Sequence, residues 1–256
     1  MGVTRTVLVT GGSRRIGAAI VRVLAGAGHR VVIHHHQPRD DDAAALAFEL
    51  DPHGERIATV AGDLADPVAI FRAAREAMHG TIDGLVNCAS VFEFDRPPDF
   101  DPALLANLMT TNLSAPVALA CELAKQDGLD DGAVVNLLDQ KVANLNPDFF
   151  SYTCTKIALE GATTMLAQSL APRVRVNAVS PGLTLPSGDQ TEAEFKAVAS
   201  ENLLRRPVPI EEIARTVEYL LITSGITGHN VFVDNGQRFL KRDGDVMFST
   251  SGRRDG

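Results

Sequence analysis

Tyr152 and Lys156 stand one helical turn apart, and an aspartate, Asp139, closes an apolar run thirteen residues before the tyrosine. A phenol with an ordinary pKa near 10 is a poor proton donor or acceptor at neutral pH. An ammonium one turn away favours the phenolate, so the spacing predicts a Tyr152 pKa lowered toward the working range. Asp139 raises a different question, because a carboxylate after a strand is also a common turn cap. Either it shares in the proton chemistry or it fastens the turn.

Those three residues need elements to place them. Short β-branched runs alternate with longer Ala- and Leu-rich segments along the whole chain. Strands are expected at Thr6–Thr10, Arg30–His34, Arg56–Val60, Ile82–Val86, Ala133–Leu138, Val174–Val179 and Asn230–Asp234. Helices are expected at 16–28, 41–50, 66–79, 102–125, 151–170 and 210–222. Nearly continuous apolar strands separated by helices imply a parallel sheet covered on both faces, a single Rossmann-type doubly wound α/β domain over residues 1–256. The segments 92–101 and 181–206 and a polar tail from about 241 read as loops. Phe149 and Phe150, before the helix that carries Tyr152, fit either pocket lining or packing.

Thr10-Gly-Gly-Ser-Arg-Arg-Ile-Gly17 lies between the first strand and the first helix, where a dinucleotide fold has its phosphate turn. Gly11 and Gly17 permit the tight turn, and the helix N-terminus offers free N–H groups to a pyrophosphate. Arg14 and Arg15 in that turn suit anionic ligand groups. The second strand ends in His34, His35, His36 and Gln37, with no carboxylate to accept from a ribose 2′-OH. That end, with His35 and His36 as candidate contacts and Arg14 nearby, favours a 2′-phosphate and therefore NADPH. Asp40, Asp41 and Asp42 read as helix-start residues. His34 and His36 share a strand face but lack a third metal ligand, so no metal is expected.

The net charge of −8 and pI near 5.3 argue against a nucleic-acid surface. No uninterrupted apolar run reaches the roughly 18 residues of a membrane span. Met1-Gly2 formally opens a myristoylation pattern, better read as chance because a strand follows at once. Cys88, Cys121 and Cys154 are an odd, widely spaced set, consistent with a reducing cytoplasm.

Thr10 to Gly17, Asp63-Leu64, Asn87-Cys-Ala-Ser90, Asn112, Tyr152-x-x-x-Lys156 and Pro181-Gly182 together resemble the short-chain dehydrogenase/reductase family, over nearly the whole chain. The resemblance implies that Asp63 and Leu64 touch the adenine and that Asn87, Ala89 and Ser90 lie along the cofactor. It further implies that Ile16 belongs to the phosphate turn, that Asn112 supports a proton-relay water, and that Pro181, Gly182 and Thr184 flank the nicotinamide. A homotetramer joined through the helices at 102–125 and 151–170 is also implied.

The chain departs from that pattern in an informative way. A serine usually stands at the position of Asp139 and donates to the carbonyl oxygen that gains charge. An ionised carboxylate there would repel that charge, at a cost of several kcal/mol in a dry site. A ring C=N bond removes the conflict, since its nitrogen needs a proton that a carboxyl beside a tyrosine can relay. With Arg15 in place of a glycine and Phe92 after Asn87-Cys-Ala-Ser-Val, the chain resembles the pteridine reductase branch. A dihydropterin substrate is then expected against Arg15, Ser90, Phe92, Asp139 and Tyr152. Phe92 alone reads equally as a core or lid residue. Two rivals remain: a carbonyl reductase with Asp139 kept protonated, and a dinucleotide-binding sensor without turnover.

Overall fold

The computed structural model describes residues 3–186 and 190–248; Met1-Gly2, part of the 183–205 loop and the last residues of the tail lie outside them. Seven strands form one parallel sheet: β1 (Thr6–Thr10), β2 (Arg30–His35), β3 (Ile57–Ala61), β4 (Gly84–Asn87), β5 (Gly132–Leu137), β6 (Val174–Pro181) and β7 (Asn230–Val233). Their order is β3-β2-β1-β4-β5-β6-β7. The order reverses between β1 and β4, which opens a crevice at the C-terminal ends of these strands.

Alternation along each strand sorts the core onto two faces. Val7, Val9, Val31, Ile33 and Val135 pack beneath α1 (Arg15–Gly26), α2 (Asp41–Leu50) and a late helix that begins at Ile210. Leu8, Val32 and Val134 point the other way, under α3 (Pro67–Ala77) and the helices that follow β4. Asp40 and Asp66 cap α2 and α3 through their side chains, and Pro67 opens α3 at its first position.

The segment expected as one helix over 102–125 is α4 (Pro102–Met109), a π-helical turn (Thr110–Ser114) and α5 (Ala115–Ala124). Such widened turns concentrate near functional sites. This one brings Asn112 into the interior, where it is fully buried. Taken together, Pro102–Ala124 is 23 residues with an 18-residue window of mean hydropathy 1.3, long and apolar enough to cross a membrane by length and composition only. Counting uninterrupted apolar residues stops at Asn107, Thr110 and Asn112, whereas an average over the helix does not. In the fold, α5 packs on α3 and α4 packs on α6 (Phe150–Leu170).

Two features escaped the sequence reading. The 181–206 stretch contains α7 (Glu192–Val198), opened by a capping box in which Thr191 and Glu194 bond reciprocally. The Thr-x-x-Glu spacing was available as a signal. The tail from 241, expected as a loop, folds back on its own chain as far as a 3-10 turn at Val246–Phe248. Helix α8 (Ile210–Ile222) falls where expected.

Candidate active site

The turn after β1 is shaped by close approach. A Cβ on Gly17 would lie 2.1 Å from the Gly11 carbonyl oxygen, so only glycine fits. Gly11 has φ +62 and sits against Ala89. His34 fastens the turn to β2: its Nδ1 accepts from the Gly11 N–H at 3.3 Å, and its Nε2 meets the Gly62 carbonyl at 3.0 Å. Burial is the main reason its pKa falls from 6.5 to about 4, so the ring is neutral and donates through Nε2. Both nitrogens are engaged, and His34 has none left for a metal. Arg14, at the extended position before α1, is exposed and pairs with Asp42 at 2.6 Å and Asp40 at 3.7 Å. Arg15 reaches the Pro186 carbonyl at 2.7 Å.

Beside this turn lies a cavity of about 650 Å³. The end of β5 and the first turn of α6 bring the opening trio together on its wall. The Tyr152 hydroxyl donates to Asp139 Oδ2 at 3.0 Å, while Asp139 Oδ1 accepts from the Lys141 N–H at 2.9 Å. One oxygen of the carboxylate therefore caps the 3-10 turn Gln140–Ala143, and the other faces the phenol. Lys156 donates to the Leu137 carbonyl at 2.8 Å and lies 5.5 Å from the centre of the Tyr152 ring.

The electrostatics overturn one expectation. Tyr152 is pushed well above its ordinary pKa, first by burial and then by the Asp139 carboxylate. Burial likewise raises Asp139, although the Lys141 N–H and ammonium oppose it. Lys156 is itself lowered to about 8 by burial, with Asp139 opposing. In the free protein the phenol is a held proton, not an incipient phenolate. Helical spacing shows that the ammonium is near, but not how far the ring is buried or which carboxylate oxygen faces it.

Of the residues expected at the site, Gly11, Arg14, Arg15, Ile16, Gly17, Ala89, Ser90, Phe92, Pro181, Gly182 and Thr184 line the cavity with the trio. His35, His36, Asp63, Leu64, Asn87 and Asn112 do not. His35 Nδ1 meets the Gln37 carbonyl, and Asp63 accepts from Ala65 N–H. Asn87 donates to Asn136 at 2.8 Å, inside the sheet. Asn112 clamps Val91 from both sides, accepting from its N–H at 2.8 Å and donating to its carbonyl at 2.9 Å. Its oxygen also accepts from Ser90 Oγ at 3.2 Å, so it holds the strip that carries Phe92. Cys88 lines the cavity as a thiol that burial raises to about 12, which makes it unreactive.

Phe92 stacks on Phe149 with centroids 4.1 Å apart and presents its edge to Tyr152 at 4.7 Å. Phe149 stacks in turn on Phe248. Phe149 thus backs the cavity wall without lining it, and Phe150 packs against Phe100. Sequence reasoning missed Lys141, Gln237, Asp245 and Val246, which also line the cavity. Lys141 lies two residues after Asp139, so a turn there could have pointed to it; nothing local marks Asp245.

A parallel sheet with this order, a glycine turn at its switch point and a Tyr-Lys pair after β5 define a nucleotide-dependent oxidoreductase. Residues 11–238 match the family model described as enoyl-(acyl carrier protein) reductase. The chain belongs to the short-chain dehydrogenase/reductase family. It is similar to the structure of FolM alternative dihydrofolate reductase 1 from Brucella canis complexed with NADP, at 41% identity and a TM-score of 0.89, covering 94% of this chain and 97% of that one. It is 27% identical to dihydromonapterin reductase of Enterobacter sp. (strain 638) over 91% of this chain and 96% of the relative. Carbonyl reductase family member 4 of Danio rerio is 32% identical, over 93% and 99%.

Proposed function

We propose that the protein is a cytoplasmic, NADPH-dependent reductase that converts a dihydropterin, of dihydromonapterin or dihydrobiopterin type, to its tetrahydro form. The observation that carries this reading is the Tyr152 hydroxyl donating to Asp139 where a carbonyl reductase would place a neutral donor. The residues present fit the cofactor. The close Gly11–Gly17 packing sets the start of α1 against the cavity, where its N–H groups would meet a pyrophosphate. The exposed Arg14, paired at the surface with Asp42, would exchange that partner for a 2′-phosphate. When bound, the cofactor supplies the hydride. Lys156 would hold the nicotinamide ribose, and Pro181, Gly182 and Thr184 would flank the ring. Tyr152 and Asp139 hold the proton that the ring nitrogen requires, in a site whose wall includes Phe92 and Leu138. Phe92, braced from behind by Phe149, offers a flat apolar surface to a planar substrate. The dihydromonapterin reductases and FolM among the relatives support the same class of substrate.

A second reading, carbonyl reduction, is favoured by one observation: burial raises the pKa of Asp139, and a neutral carboxyl could donate to a carbonyl oxygen. Oxidation of NADPH measured against dihydropterins, dihydrofolate and simple ketones separates the two. In the pterin reading Asp139→Asn binds NADPH normally and loses turnover about a hundredfold or more. Asp139→Ser lowers pterin reduction while ketone reduction appears or rises. Unchanged pterin turnover in Asp139→Asn, with a lower melting temperature, would leave Asp139 as a turn cap alone.

A further inference from the structure

The segment 241–248 contributes Asp245 and Val246 to the cavity wall. Several ties hold it there. The Asp245 N–H donates to Asp148 Oδ2 at 2.6 Å, Asn144 donates to the Leu240 carbonyl at 3.1 Å, and Phe248 stacks on Phe149. The Lys141 ammonium lies 2.8 Å from Asp245 Oδ2 and 3.0 Å from Asn146 Oδ1, with side chains only 3% and 15% exposed in the Lys141–Asp245 pair. The same Lys141 gives its backbone N–H to Asp139. A buried cation is thus tied at one end to Asp139 and held at the other by the strap.

We infer that Asp245 is a positioning residue of the reaction: by holding the Lys141 ammonium beside the cavity, it keeps the transferable proton on the Asp139–Tyr152 pair. The inference rests on the reading of that pair as the proton source. The charged and titratable groups around it come from four elements. Lys141 belongs to the turn after β5, Tyr152 and Lys156 to α6, Cys88 to the strip after β4 where it faces Lys156, and Asp245 to the strap. Asp148, under the strap, pairs with Arg96 at 3.5 Å. Lys141 alone would draw Asp139 toward its ionised form and so strip that proton from the pair. The Asp245 carboxylate opposes this at both members of the pair. A strap that only braced the wall would need no charge here, since an amide could bridge to Lys141 as well.

The chain has two tyrosines and no tryptophan, so Tyr219→Phe leaves Tyr152 as its one phenol. Tyr219 is half-exposed on α8, away from the cavity. In that background, tyrosinate absorbance is recorded against pH on the free protein, with circular dichroism followed in parallel. In the parent, tyrosinate appears only as the fold is lost at alkaline pH. In Asp245→Asn it appears about one pH unit or more earlier, a tenfold easier ionisation, with the dichroism unchanged. Asp245→Glu follows the parent. Tyrosinate in Asp245→Asn that rises only with loss of dichroism overturns the inference. Should Asp245→Asn not fold, Lys141→Met carries the test, because it leaves the Asp245 carboxylate uncompensated. The alkaline limb of dihydropterin turnover then moves up by about half a unit, and a downward or absent shift overturns the inference. The titration needs no substrate, so a parent that titrates as expected yet reduces no dihydropterin defeats the substrate assignment separately.

Discussion

A guanidinium that already has partners is still available when those partners are weak. Arg14 meets Asp42 at the surface and reaches Asp40, whose side chain is 7% exposed, only at 3.7 Å. An exposed pair such as Arg14–Asp42 is worth about 0–1 kcal/mol. A 2′-phosphate presents more charge and a geometry suited to bidentate bonding, so it displaces them readily. The unmodified protein is therefore expected to bind NADPH at least tenfold more tightly than NADH, about 1.4 kcal/mol. Arg14→Ala shrinks that ratio chiefly by weakening NADPH. Fluorescence titration of both cofactors decides it, and equal affinities would remove the basis for the choice. At this scale the trio Asp139, Tyr152 and Lys156 was legible because residue type and spacing suffice to nominate it. The protonation state of Tyr152 was not, since it depends on burial and on which carboxylate oxygen turns inward.

The second strand acts on the phosphate turn through one side chain. His34 holds the Gly11 N–H only while its Nδ1 is unprotonated, and its pKa of about 4 in the fold lies below the ordinary 6.5. A group with a depressed folded-state pKa adds stability above its unfolded value and loses it as pH falls through the folded one. For His34 that contribution is on the order of 3 kcal/mol, intact above about pH 6.5 and lost toward pH 4. Urea midpoints measured from pH 7 to pH 4 are expected to fall more steeply in the parent than in His34→Gln, which cannot titrate. Parallel curves would mean that the turn does not depend on the imidazole. The sheet itself was legible at this scale, because nearly continuous apolar strands announce their own burial. The break in the 102–125 helix was not: Thr110-Thr-Asn-Leu-Ser114 has no local mark of a π turn, which arises from the demand that Asn112 reach Val91. The hidden capping box at Thr191 is a plainer omission, a readable motif inside a stretch treated as loop.

For the whole molecule, the long helices α4–α5 and α6 keep apolar groups outside the core. Ile157 is 40% and Met165 63% exposed, on one face of α6, and only 33% of the most apolar window of Pro102–Ala124 is buried. Apolar helix faces of this length suggest a partner surface. We expect copies of the chain to cover them, giving a light-scattering mass about four times 27.3 kDa. A clean monomer would dismiss the assembly and leave those faces to be explained. The doubly wound α/β architecture was legible from the alternation of segments along the chain. The folded-back strap was not, because the bonds of Asp245 lie with residues about a hundred positions earlier.

The cavity draws on residues 11–17, 88–92, 137–156, 181–185, 237 and 245–246, segments that only the completed parallel sheet brings together. β1 must pair with β4, β4 with β5 and β5 with β6 before all of these segments meet, and such long-range pairing is slow. A partly assembled chain therefore offers no complete seat for the nucleotide. Bound cofactor then acts as a mass-action weight on the last step of folding, worth about 2.7 kcal/mol at a hundredfold excess over Kd. On the proposed reading, the nucleotide supply of the cell sets how much of the protein stays assembled as well as how fast it turns over.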